Sequence, residues 1–133
     1  MTGYRALYES AAWFDIASRS RLKVTGEDRA SFIHAMSTNV VEALSPGEGT
    51  QTLFLNTRGH IQADALVLID QEYLLLDFET CRHKSLPLHL DKYVVMDDVY
   101  LENLLPPLAT IAVEGPKADH IVSEIAALPP LEI

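Results

Sequence analysis

The chain has 133 residues, 48% of them hydrophobic and 22% charged, which is the size and mixture of one globular domain with a real core, not of a disordered or fibrous segment. Its net charge of −9 comes from 10 basic and 19 acidic residues without the Lys and Arg clusters that hold phosphate backbones, so no nucleic-acid partner is expected. No apolar run reaches the roughly 20 residues of a membrane span, the N-terminus lacks the order of a signal peptide, and the single cysteine, Cys81, cannot close an internal disulfide, so a soluble, cytoplasmic protein is expected.

Tyr4, Leu7, Tyr8 and Ala11 recur at helical spacing, which predicts a short amphipathic packing helix running into Trp13 and Phe14. Arg19 to Thr25 alternates and predicts a half-exposed strand with Leu22 and Val24 inward. Thr25 is expected to cap a helix over Asp28 to Met36 with an apolar stripe of Phe32, Ile33 and Met36, ending at Ser37, Thr38 and Asn39. A breaker-rich loop, Ser45 to Gly49, leads into the central hairpin, Gln51 to Ile69, which turns through Asn56, Thr57, Arg58 and Gly59. In its second strand Ile61, Ala63, Ala65, Val67 and Ile69 share one face, and His60, Gln62, Asp64, Leu66 and Leu68 the other. The distal end is apolar on both sides and is expected to be covered on both, by self-association as a homo-oligomer, most simply a dimer. Tyr73 to Phe78 predicts a third strand, and a helix follows that starts near Ser85 because Pro87 suits a first turn. Two short strands, Val99 to Leu101 and Ala109 to Val113, then a helix from Lys117 to Ala127 and a proline-bearing tail complete the chain. Strands and helices mix without strict βαβ alternation, so the expected fold class is α+β, a largely antiparallel sheet with helices packed on it, in a single domain over residues 1–133.

Generic catalytic signatures are absent: there is no phosphate loop, CxxC, HExxH or GxSxG. Cys81, His83 and His89 match no zinc spacing and read as surface groups, so no metal site is expected. Asp97 and Asp98 alternate to opposite faces and make a poor acid and base pair, reading instead as a solvated strand entrance. Met36 reads as core by its helical spacing. Asp64 in mid-strand is either on a wet face or held there for a purpose.

Leu22 to Thr25 with Gly26, Asp28 and Arg29, then Phe32, Ile33 and His34, then Thr38, Asn39 and Val40, resembles the opening motif of the folate-binding superfamily that contains the glycine-cleavage aminomethyltransferase (T-protein) and the YgfZ proteins. Pro46 to Gly49, Phe54 to Asp64, Leu90 to Tyr93 and Gly115 to Ala118 are similar to further motifs of the same family, in the same order. The resemblance covers nearly the whole chain and the family's N-terminal part; the YgfZ signature cysteine lies downstream, and Cys81 does not match it. It implies the T-protein/YgfZ folate-binding fold, a tetrahydrofolate cofactor, a protein client, and a cavity wall that includes Met36, Thr38, Asn39, Asn56, Ala63 and Asp64. The first aspartate of the transferase's paired motif is taken as its catalytic one, and Ala63 falls on it. The resemblance then favours a YgfZ-like protein acting in iron-sulfur enzyme maintenance or tRNA modification, without aminomethyl transfer and with no catalytic residue here. The two small residues, Ala63 and Ala65, place the expected ligand on the Ala63 side, with Asp64 on the hydrated opposite face. The alternatives are a tetrahydrofolate-dependent aminomethyltransferase with Asp64 as its acid, and a folate-independent interaction module.

Overall fold

The computed structural model describes residues 3–16, 19–104 and 110–125. In chain order its elements are α1 (Gly3–Glu9), β1 (Ala12–Asp15), β2 (Arg19–Thr25), α2 (Arg29–Met36), β3 (Gly49–Leu55), β4 (Ile61–Ile69), β5 (Leu74–Glu79), a 3-10 turn (Thr80–Arg82), α3 (Ser85–Asp91), β6 (Tyr100–Asn103), β7 (Ile111–Glu114) and α4 (Ala118–Ile125). The chain divides into two compact units: described residues 3–16 and 110–125 fall in one, and 19–104 in the other. None of the described helices is long and apolar enough to cross a membrane.

In the smaller unit β1 pairs antiparallel with β7, from Ala12 opposite Glu114 to Asp15 opposite Ile111. Gly115 follows at φ +133°, where a Cβ would lie 2.6 Å from the Ser10 carbonyl oxygen, and the Lys117 amide donates to that same oxygen at 2.9 Å. This close approach needs glycine. The N-terminal helix forms, but its expected packing role is corrected: Tyr4 and Tyr8 are exposed and meet each other edge-on at 5.4 Å. Trp13 and Phe14 belong to β1, not to a continued helix. The proline-bearing tail, Leu128 to Ile133, lies outside the described residues.

The larger unit is a five-stranded sheet in the order β3-β4-β5-β2-β6, with every neighbouring pair antiparallel. Its inner face carries Leu22 and Val24, Phe54, Ala63, Ala65 and Val67, and Leu74, Leu76 and Phe78, all buried. Phe32 and Ile33 from α2, and Leu86 and Leu90 from α3, complete the same core cluster, with Met36 packed at its edge. Each large side chain fully withdrawn from water here contributes about 1.5–3 kcal/mol, so the helices are held by this face and not by intrinsic propensity. α3 starts at Ser85, which puts Pro87 in its first turn, where the missing amide proton costs no helical bond.

Two local expectations are corrected. Ile61 does not share the inner face with Ala63. The register steps from Phe54 opposite Ala63 to Leu55 opposite Ile61, so Gln62 is an extra residue that bulges β4 and turns Ile61 out to 57% exposure. Thr25 does not cap α2 either. The residue before the helix is Asp28, and its carboxylate accepts the Asp98 amide at 2.8 Å, while the Asp98 carboxylate accepts the Glu27 amide at 2.9 Å. Asp98 is therefore a loop fastener and not merely a solvated strand entrance.

Candidate functional site

The hairpin between β3 and β4 supplies the groups with chemical capacity. Its turn is closed by Asn56, whose Oδ1 accepts the Arg58 and His60 amides at 2.9 Å each, and by Gly59 at φ +79°, a left-handed position that suits glycine. Beyond the bulge β4 alternates cleanly. Ala63 is 4% exposed and lies in the core, whereas Asp64 is exposed on the outer face. The expected sidedness of Asp64 is therefore present, but the expected ligand side is corrected: space beside Ala63 is filled by the core, not left as a cavity.

On that outer face Gln51 Nε2 donates to both oxygens of Asp64, at 3.1 and 3.3 Å. Gln51 and Asp64 are diagonal neighbours across the strand pair, because Gln51 sits opposite Leu66 and Asp64 opposite Leu53. Leu53 and Leu66 are half-buried and flank the carboxylate. Leu68, expected to be covered, is half-buried as well. Further across the same face Asp77 is held by two guanidinium groups: Arg19 bonds its carboxylate and, at 2.8 Å, its carbonyl oxygen, and Arg21 Nε lies 3.3 Å from Oδ2. The outer face thus combines an accessible carboxylate, an amide that orients it, an apolar shelf and a paired charge cluster. Gln51 and Asp77 carry no motif signal on their own, and they become visible only once the register is known.

The other expected site residues sit elsewhere. Met36, Thr38 and Asn56 line one cleft of about 270 Å³ at the ends of α2 and β3, together with Tyr93, which is 40% exposed and which sequence reasoning did not select. Asn39 and Thr38 grip the free edge of β3. The Thr38 and Asn39 amides both donate to Thr52 Oγ1 at 3.1 Å, and Asn39 Nδ2 donates to Thr50 Oγ1 at 2.9 Å and to the Gln51 carbonyl at 3.0 Å. The structure therefore brings Met36, Thr38 and Asn56 together, links Asn39 to β3, and leaves Ala63 and Asp64 on opposite sides of the sheet. Cys81, His83 and His89 are engaged separately: Cys81 with Glu79 at 3.4 Å, His83 Nδ1 with the Thr80 carbonyl at 2.8 Å, and His89 edge-on to Tyr93.

The family described as the GCVT N-terminal domain matches residues 2–129. The chain belongs to that family. An aminomethyltransferase from Chloroherpeton thalassium is 30% identical over 128 residues, covering 95% of this chain and 35% of that protein. One from Bacillus subtilis is 29% identical over 132 residues, covering 96% and 36%. The chain thus spans about a third of the length of these curated relatives. Among solved structures, the glycine cleavage system aminomethyltransferase T from Bartonella henselae superposes with a TM-score of 0.79 at 18% identity, over 98% of this chain and 36% of that one, which shows a shared fold. The α+β architecture of this GCVT N-terminal domain is thus shared with a solved aminomethyltransferase structure.

Proposed function

We propose that this chain is the folate-facing N-terminal part of a tetrahydrofolate-dependent aminomethyltransferase, with the outer face of its sheet as the binding surface and Asp64 as the proton-exchanging group. The observation that carries the reading is the sidedness of β4: Asp64 is exposed and oriented by Gln51, while Ala63 is buried. A catalytic carboxylate at position 63 would point into the core, away from any ligand, so alanine there does not leave a site empty. The YgfZ-like reading without transfer rested on that vacancy, and the sidedness of β4 supports the aminomethyltransferase alternative over it. The names of the similar aminomethyltransferases support the same choice.

The residues present fit the group. A reduced pterin is a flat ring with N–H donors and a carbonyl on its edge, and it needs an apolar support beside a few polar groups. Leu53 and Leu66 offer the support, the Asp64 carboxylate accepts an N–H, and the amides of Gln51 and Gln62 can donate or accept. Tetrahydrofolate, when bound, supplies the nitrogen that takes up the one-carbon unit; Asp64 holds or moves a proton beside it.

Titration of tetrahydrofolate into the chain and into its Asp64→Ala variant tests this, followed by release of the aminomethyl group from a lipoyl carrier. Saturable binding that Asp64→Ala weakens at least tenfold is expected, and Asp64→Asn should lower turnover by about 10²–10⁴ with the fold intact. Equal binding and turnover in parent and variants would overturn the assignment.

A further inference from the structure

The outer-face site has a second layer, along the free edge of β3. β3 ends the sheet, and an edge strand presents unpaired amide and carbonyl groups. Here that edge is taken by Thr38 and Asn39, which follow Ser37, the C-cap of α2. The Thr38 amide donates to the Leu53 carbonyl at 3.1 Å and Thr38 Oγ1 accepts the Leu53 amide at 3.1 Å, so Thr38 closes a two-way clasp on Leu53. Asn39 continues the grip through the Gln51 carbonyl and Thr50 Oγ1, with its own Oδ1 spent on the Val40 amide at 2.8 Å. Thr52, 3% exposed, points its hydroxyl to this same side and accepts both the Thr38 and Asn39 amides. β3 is therefore held at the Gln51 and Leu53 backbone and at the Thr52 hydroxyl. Side chains 51 and 53 leave on the outer face of the sheet, opposite that of Thr52, and there Gln51 bonds Asp64 and Leu53 flanks it.

We infer that Thr38 and Asn39, anchored on Thr52, are positioning residues: by fastening the edge of β3 they fix the Gln51 amide that orients the Asp64 carboxylate, without themselves reaching the outer face. The inference rests on the outer-face reading of function, and it assigns Thr38 and Asn39 a task other than contact with the ligand. An Asp64 carboxylate free to swing would meet the ligand in many geometries, and orientation of a reacting group is a large part of what a site contributes.

Asn39 is exposed, which makes Asn39→Asp a clean probe. It keeps an oxygen for the Val40 amide and replaces both donated bonds with an acceptor that faces the Gln51 carbonyl. The first readout needs no ligand: the NMR order parameter of the Gln51 side-chain amide should exceed that of the exposed Gln71 in the parent and fall to the Gln71 level in Asn39→Asp. An unchanged Gln51 order parameter overturns the clasp. The second is a double-mutant cycle on tetrahydrofolate affinity. Asn39→Asp should weaken binding about fivefold in the parent and less than about twofold in a Gln51→Ala background, because residues in one hydrogen-bonded chain are non-additive. The same loss in both backgrounds overturns transmission through Gln51 and points to a direct or purely structural role. Thr52→Val should reproduce the weakening and Thr52→Ser should restore parent affinity. A parent that takes up no tetrahydrofolate at all would sink the functional reading, and the order parameter would still decide the clasp.

Discussion

A side chain larger than alanine at position 63 has nowhere to go, since the residue is 4% exposed and sits in the core cluster with Phe54 as its cross-strand partner. Ala63→Asp would bury an unpaired carboxylate, and a charge left without a partner in the interior typically costs about 3–5 kcal/mol. Ala63→Leu overpacks the same place and should cost about 1–3 kcal/mol. Urea denaturation measures both. A loss under 1 kcal/mol for Ala63→Asp would mean that this side of β4 is open, and the choice of Asp64 as the working group would fall with it. Asp64→Asn, on the exposed side, should by contrast leave the denaturation midpoint nearly unmoved, because surface substitutions away from special features stay within about 0.5 kcal/mol. The sequence pattern separated Asp64 from Ala63 correctly, since alternation is a property of the strand itself. It misplaced Ile61, because the bulge at Gln62 depends on how β4 pairs with β3 and is not written in the local pattern.

The entrance to α2 shows how an element can be legible while its fastening is not. The helix was readable from Phe32, Ile33 and Met36, but its start is set by residues about 70 positions away. Asp28 and Asp98 each accept a backbone amide from the other's loop, and Arg29 donates to the Gly26 and Gln71 carbonyls at 2.8 Å each. Gly26 makes the approach feasible: at φ +107° its missing Cβ would lie 1.9 Å from the Asp98 carbonyl oxygen. Gly26→Ala must therefore pay both a left-handed backbone penalty of about 1–2 kcal/mol and a clash with main chain that cannot be relieved by rotating a side chain. We expect a thermal midpoint lowered by at least 8 °C, read by circular dichroism, for a domain of this size. A Gly26→Ala protein as stable as the parent would show that the Asp28 and Asp98 loops are not locked together. Asp28→Ala should cost about 1 kcal/mol and little more when combined with Asp98→Ala, because the two carboxylates fasten the same pair of loops.

At the level of the whole chain, the family and the α+β class were legible because short motifs in a fixed order survive at 30% identity and below. The face proposed to bind the ligand was not, because it is assembled from β2, β3, β4 and β5, whose order in space, β3-β4-β5-β2, differs from their order in the chain. Gln51, Asp64, Asp77 and Arg19 share that face only through register. Met36, Thr38 and Asn56 instead gather with Tyr93 in a separate cleft. The two places make opposite claims on a ligand, and a tetrahydrofolate titration followed residue by residue by NMR distinguishes them most directly. Saturable chemical-shift changes are expected at Gln51, Leu53, Gln62, Asp64 and Leu66, lost in Asp64→Ala, with Met36 and Tyr93 unmoved. Changes confined to Met36, Asn56 and Tyr93, and indifferent to Asp64→Ala, would contradict it.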